Sequence, residues 1–228
     1  MHNALRAPAP ALHRLLARLG PPGAPVTAQP LSARLSQWLE WTQAVALSAA
    51  LDARPAPAPK APAQAPGELT VDSSECARVR AALANAILGD RAFASPASAP
   101  PPEPTFFRQR YVALQQVMEA DISHLRGRLR GLLVHEAPQL APLAAIDAVM
   151  ERTLGRQERT LLATLPEWLD QHHERLRAAA DASVSPPSSA DWLAAFRADM
   201  QSLLLAELDL RLQPSEGLVA ALRATVTA

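Results

Sequence analysis

The chain has 228 residues, and its 22 basic and 22 acidic side chains leave no formal net charge, which argues against a highly charged nucleic-acid-binding or membrane-surface protein. Hydrophobic residues make up 49% of the sequence but aromatics only 4%, so leucine must carry the core while alanine supplies helix propensity. Cys76 is the only cysteine, which excludes an intramolecular disulfide and a cysteine-based zinc cage.

The chain opens with "MHNALRAPAPALHRLLARLG", which has no uninterrupted apolar run of signal-peptide length. No segment approaches the roughly 20 apolar residues a bilayer crossing needs, so the expected location is the cytoplasm, with no direct membrane insertion. A short helix is expected from Ala9 to Leu19, stopped by Gly20-Pro21. The next follows Pro30, runs through "RLSQWLEWTQAVALSAAL" and ends near Leu51. A proline–alanine linker, Arg54 to Glu68, comes after it. A third helix begins at Asp72 or Ser73, carries Cys76, Val79, Leu83 and Ile87, and stops at Gly89. Ala94 to Pro104 is a second proline-rich linker.

The longest apolar pattern comes next. Phe107, Tyr111, Leu114, Met118, Ile122, Leu125, Leu129 and Leu132 are spaced by fours and threes, one continuous helical stripe that ends before Pro138. Another helix starts near Pro142 with Leu143, Ile146, Val149, Leu154, Leu161 and Leu165 on its stripe. Pro166 either kinks it or starts a new helix, and Thr164 and Glu167 have capping-box spacing. The pattern continues through Leu169, His172 and Leu176. After a third linker, Ser183 to Ser189, "SSADWLAAF" opens a helix with Ser188 and Asp191 in capping-box positions. "LLLAELDLRLQP" partly alternates with period two but has no partner strand, so it is read as helical, with a last short helix after Pro214.

The expected fold is all-α: an elongated bundle of long antiparallel helices with proline-rich linkers and no sheet. The expected organisation is an N-terminal helical segment, 1–53; a linker, 54–68; a short helical stretch, 69–93; a second linker, 94–104; and a long-helix bundle, 105–228.

Few residues carry recognisable chemistry. Asp121 with His124, and Asp170 with His173, are i, i+3 pairs resembling di-metal carboxylate motifs. At about 100° per residue both pairs lie off the leucine stripes, so no metal site is expected and no cofactor is assigned. His172 lies on its stripe and reads as a hydrogen-bonded core histidine. "HLRGRLRGLL" concentrates Arg126, Arg128 and Arg130. Arg126 and Arg130 share a face that either contacts nucleic-acid phosphates or pairs with acidic neighbours. Gly127 and Gly131 in the same stretch suggest close helix approach or a flexible point. There is no phosphate loop, no GxSxG elbow and no dinucleotide fingerprint, and Cys76 reads as a buried thiol, so an enzyme is not expected.

Trp38 and Trp41 sit three residues apart. On a helix, Leu31, Leu35, Trp38, Thr42, Val45 and Ala49 share a stripe, with Trp41 beside it near Val45. That apolar surface is wider than one helix contact needs: either both rings pack the protein's own core, or one does while the other faces a neighbouring helix or a second chain, with Trp38, Trp41 and Val45 the candidate interface residues.

"RLSQWLEWTQAVALSAAL", "ERTLLATLPEWLD" and "LDLRLQPSEGLVAAL" together resemble an uncharacterised family of proteobacterial proteins. Its members are similar to the accessory component of Zorya type III anti-phage systems. The resemblance implies a non-catalytic helical accessory protein. Its expected partners are an inner-membrane complex resembling flagellar stators, a second accessory protein, or invading DNA. A general helical scaffold that forms homo-oligomers, and a nucleic-acid-binding module using the Arg126–Arg130 face, are the alternatives.

Overall fold

A computed structural model describes residues 11–19, 41–52, 73–94, 103–182 and 189–226. The protein is all-α, with no strand among the described residues. Seven α-helices are described: α1 (Ala11–Leu19), α2 (Trp41–Asp52), α3 (Ser73–Leu88), α4 (Pro104–Glu136), α5 (Ala141–Leu162), α6 (Leu165–Asp181) and α7 (Ser189–Val226). A 3-10 turn, Pro138–Leu140, joins α4 to α5. The linker 54–68, most of 94–104 and the segment 183–188 lie outside the described residues, as does the Ser188 cap.

Helix α4 follows its apolar spacing closely. Phe107, Tyr111, Leu114, Met118, Ile122, Leu125 and Leu129 are all buried, and the stripe ends at Leu133 rather than at the expected Leu132. Phe107, Met118 and Leu129 stand eleven residues apart. An eleven-residue repeat turns at about 3.67 residues per turn, close enough to a straight helix to hold one face over this length. Pro104 is tolerated as the first helical residue, and Pro138 prevents the helix from continuing.

At the later elements one open alternative is resolved and other expectations change. Pro166 breaks the helix: α5 ends at Leu162, and α6 starts at Leu165 with the proline in its first turn. The Thr164 hydroxyl donates back to the Leu161 carbonyl at 2.7 Å, so it closes the end of α5. Leu161 itself is exposed, and Leu162 is the buried residue there. Pro214, by contrast, does not end its helix; α7 runs straight through it to Val226. A proline inside a helix costs about 3 kcal/mol. Burial of Leu212, Leu218, Val219 and Leu222 on both sides of it offsets that cost.

The helices form two compact units, each assembled from three stretches of chain. Unit 1 comprises Met1–Val26, Leu83–Gln116 and Pro166–Arg211. Its core includes Ile87, Phe107, Tyr111, Leu169, Phe196, Met200, Leu203 and Leu204. The turn after α3 is fixed inside this unit. The Asp90 carboxylate accepts the Ala92 amide at 2.8 Å and the Arg110 guanidinium, and Arg197 donates to the Ala92 carbonyl at 3.1 Å. Burial pushes the Asp90 carboxyl upward, but these donors outweigh it and hold the group below its usual range. Unit 2 comprises Thr27–Ala82, Val117–Leu165 and Leu212–Ala228. Its core includes Cys76, Met118, Leu125, Leu129, Leu133, Val149, Leu162 and Leu222, and α2 packs against α5 within it.

Candidate functional site

Helix α2, "WTQAVALSAALD", is mostly apolar, and on its exposed side the Ser48 hydroxyl donates to the Asp52 carboxylate at 3.4 Å. While α2 packs on α5, Val45 remains 51% exposed and Leu51 63%. Ala49, on the same predicted stripe as Val45, is exposed too. Trp41 begins the helix, and its side chain lies outside the described residues. Trp38 also lies outside them.

The arginine cluster of α4 is satisfied inside unit 2. Arg126 grips Asp147 of α5 through two nitrogens, Nε at 2.9 Å from Oδ2 and Nη2 at 2.6 Å from Oδ1. Arg130 donates from Nη1 to Asp147 Oδ2 at 2.9 Å and to Glu151 Oε2 at 2.6 Å. Arg128, on another side of the helix, pairs with Glu75 of α3. Three guanidinium groups therefore meet three carboxylates, and a nucleic-acid phosphate would have to displace one. Burial lowers the Arg130 pKa, but the two acids outweigh it and hold the group more firmly charged. Close helix approach does not explain the two glycines: a Cβ at Gly131 would meet nothing within 4 Å, and one at Gly127 only the Arg130 side chain at 3.8 Å.

Unit 1 holds a buried ionic network that the sequence reading missed. Glu207 of α7 is 0% exposed. It accepts from the Tyr111 hydroxyl at 2.9 Å, from Gln115 Nε2 at 3.0 Å and from Arg211 Nε at 2.9 Å. Burial, then the glutamate beside it, pushes the Tyr111 phenol far up, so it remains a hydrogen-bond donor. A signal was present: a Glu and an Arg four apart within the leucine run of "LLLAELDLRL" occupy positions on the apolar stripe.

The adjacent histidines of α6 are both buried, which corrects the expectation that His173 lies off the core. His172 Nε2 is 2.9 Å from Asp199 Oδ2, and its ring stacks on Trp168 at 5.4 Å. Its Nδ1 faces Arg175 Nη2 at 3.3 Å, and the same nitrogen donates to the Leu19 carbonyl of α1 at 2.9 Å. His173 is 3% exposed and enclosed by Phe107, Trp192 and Phe196, with ring centroids at 6.1, 5.0 and 4.9 Å. Neither of its ring nitrogens has a hydrogen-bond partner. Burial holds its pKa below the ordinary histidine value. Asp121 and His124 are exposed on α4, and Asp170 pairs with Arg108 at 3.0 Å. Among the described residues, no three His, Cys, Asp or Glu side chains come together to hold a metal.

Cys76 is buried in unit 2, and its thiol is pushed up by burial and then by the nearby Glu216. Among the described residues no helix is long and apolar enough to cross a membrane.

The fold and these sites define an all-α protein in which the buried polar groups, the His173 ring nitrogens and Ser215 Oγ apart, are hydrogen-bonded within the chain. The chain belongs to the family described as Protein of unknown function (DUF3348), whose model matches residues 2–224. No curated protein and no solved structure matches it.

Proposed function

We propose that the protein is a non-catalytic, cytoplasmic helical accessory protein of a bacterial anti-phage defence system, and that it works by binding other proteins. The observation that supports this most directly is the exposure of two large apolar side chains, Val45 and Leu51, on either side of the Ser48–Asp52 pair of a helix that already packs on α5. Exposed apolar side chains flanking a small polar pair are a type of surface that can anchor a partner helix. The defence assignment rests on the resemblance to Zorya type III accessory proteins, which also supplies the expected partners. These are a stator-like inner-membrane complex and a second accessory protein. The mutual pairing of Arg126, Arg128 and Arg130 with acids favours a protein partner over DNA.

The test is a Val45→Asp, Leu51→Asp double variant in the native host, with its neighbouring genes intact. The variant is expected to keep the helical circular-dichroism signal of the parent. Co-purification of the stator-like pair should weaken by about thirtyfold or more, as for loss of an interface anchor, and phage protection should fall. A folded variant that protects and co-purifies like the parent overturns the reading. Loss of self-association alone, seen by sedimentation, would assign the surface to a second copy of the chain.

A further inference from the structure

We propose that the outer side of α1 binds the headgroups of an anionic lipid surface. The inference does not depend on the partner reading. The neutral balance of the whole chain hides a division of charge. Residues 1–39 hold four arginines, Arg6, Arg14, Arg18 and Arg34, with no lysine and no acid. That stretch has a formal charge of +4, which leaves 18 basic against 22 acidic residues in the rest of the chain. Charge separated in this way suits one stretch to an anionic partner.

Helix α1, "ALHRLLARL", presents those charges on one side. Leu12, Leu15, Leu16 and Leu19 follow the i, i+3, i+4, i+7 spacing and share the other side. Leu12 is buried in unit 1, and Arg175 donates to the Leu19 carbonyl at 2.9 Å, so the leucines are turned inward. At about 100° per residue Arg14 and Arg18 fall opposite them, and both are exposed, as is His13. All five arginines of α4 pair with acids. The two of α1 pair with none among the described residues. Like charges four residues apart oppose helix formation, and α1 has only 9 residues, too few to be stable alone. An anion lying across both guanidinium groups removes that repulsion.

The ground between the two arginines favours lipid among anions. Ala11, Arg14, Leu15 and Arg18 line one shallow cleft, so its floor is apolar. A lipid offers a phosphate above an acyl chain. Arginine matches it by laying its stem along apolar surface and its head at the phosphate. Nucleic acid is matched less well, because residues 1–37 contain no Phe, Tyr or Trp on which a base could stack. Contact with headgroups needs no membrane-crossing helix. Each arginine near an anionic bilayer strengthens binding about fivefold, and salt screens the effect.

The test is co-sedimentation of the full chain with two kinds of vesicle, phosphatidylcholine alone and phosphatidylcholine with about 40% phosphatidylglycerol, at about 50 mM and about 500 mM salt. The parent should bind the anionic vesicles at low salt, lose roughly tenfold or more of that binding at high salt, and not bind the neutral ones. Arg14→Ala with Arg18→Ala should weaken binding by roughly 25-fold and melt like the parent, because both side chains are exposed. Arg14→Lys with Arg18→Lys should retain most of the binding, since the charge is kept. Arg152→Ala with Arg156→Ala removes the same charge from exposed positions of α5 and should leave binding unchanged. The inference is overturned if the parent ignores anionic vesicles or binds neutral ones equally. It is also overturned if the Arg14→Ala, Arg18→Ala variant binds like the parent, or if the α5 variant loses as much. Tighter binding to a mixed-sequence DNA duplex, lost in the Arg14→Ala, Arg18→Ala variant, would overturn it in favour of nucleic acid.

Discussion

Each unit uses an acidic side chain to hold arginine, and the two do so in different surroundings. In unit 1, Glu207 is fully buried, and its carboxylate is shared by Tyr111, Gln115 and an arginine four residues along the same helix. In unit 2, Asp147 receives two arginines from α4, and the participating side chains retain between 9% and 25% exposure. A charge away from water depends on every partner it has, because nothing replaces one that is lost. A charge near the surface can turn partly to solvent. The same ion pair on paper is thus a requirement of the core in one unit and an adjustable clamp between helices in the other.

The sharpest way to break this comparison is to remove each acid in turn. Glu207→Ala removes a fully buried carboxylate that accepts from Tyr111, Gln115 and Arg211, so it should cost about 3–5 kcal/mol. Asp147→Ala releases Arg126 and Arg130 toward Glu151 and water, and should cost about 1–3 kcal/mol. The second loss should also shrink in high salt, and the first should not. Urea melts at low and high ionic strength measure both. Equal losses with equal salt dependence would show that the two networks are equivalent.

His173 of unit 1 gives a smaller effect with a pH signature. His173 occupies an aromatic enclosure without a hydrogen-bond partner, and burial depresses its pKa from 6.5. The unfolded chain therefore takes up a proton before the folded one does. The stability associated with the neutral ring is fully present above about pH 6.5 and is lost as pH falls through the lower folded value. His173→Leu keeps an apolar group of similar size and removes two unpartnered nitrogens. It should raise stability by about 1 kcal/mol at neutral pH and by more in acid, flattening the acid side of the stability profile. Thermal melts between about pH 7.5 and about pH 4.5 test this. A variant that melts lower than the parent at neutral pH would mean that the ring has a polar role its surroundings do not display.

These examples separate what could be read along the chain from what could not. The stripe of α4 was legible because one spacing persists through eight buried side chains, from Phe107 to Leu133. The shared face of Arg126 and Arg130 was legible for the same reason. Their acceptor, Asp147, was not, because the partner across a helix interface depends on which helix lies opposite. His173 was misplaced because a single stripe was drawn on α6, whereas both 172 and 173 are buried there, a turn of about 100° apart. That width is set by tertiary packing. Pro214 failed as a helix end because burial around it outweighed a local rule, while Pro166, preceded by the exposed Ala163 and Thr164, obeyed that rule. On α2 only an excess of apolar surface was legible; that Val45 and Leu51 remain exposed required the position of α5.

The smallest effect separates backbone from side chain within the unit 2 clamp. Gly131 lies one residue beyond Arg130 on α4, and a Cβ there would meet nothing within 4 Å. With no crowding and a helical backbone, alanine should only reduce the freedom of the unfolded chain and raise helix propensity. Gly131→Ala should therefore stabilise the protein by about 0.5–1 kcal/mol. Gly89 is the control: a Cβ there would come within 3.1 Å of the Asn85 carbonyl oxygen, at the end of α3 where the Gly89 amide donates to that same oxygen. Gly89→Ala should thus give no gain, or a loss, where Gly131→Ala gives one. If Gly131→Ala destabilises instead, the glycine serves the motion of α4 near its arginine clamp. In that case the Asp147→Ala background should remove the penalty, because the ion pairs that require the motion would already be broken.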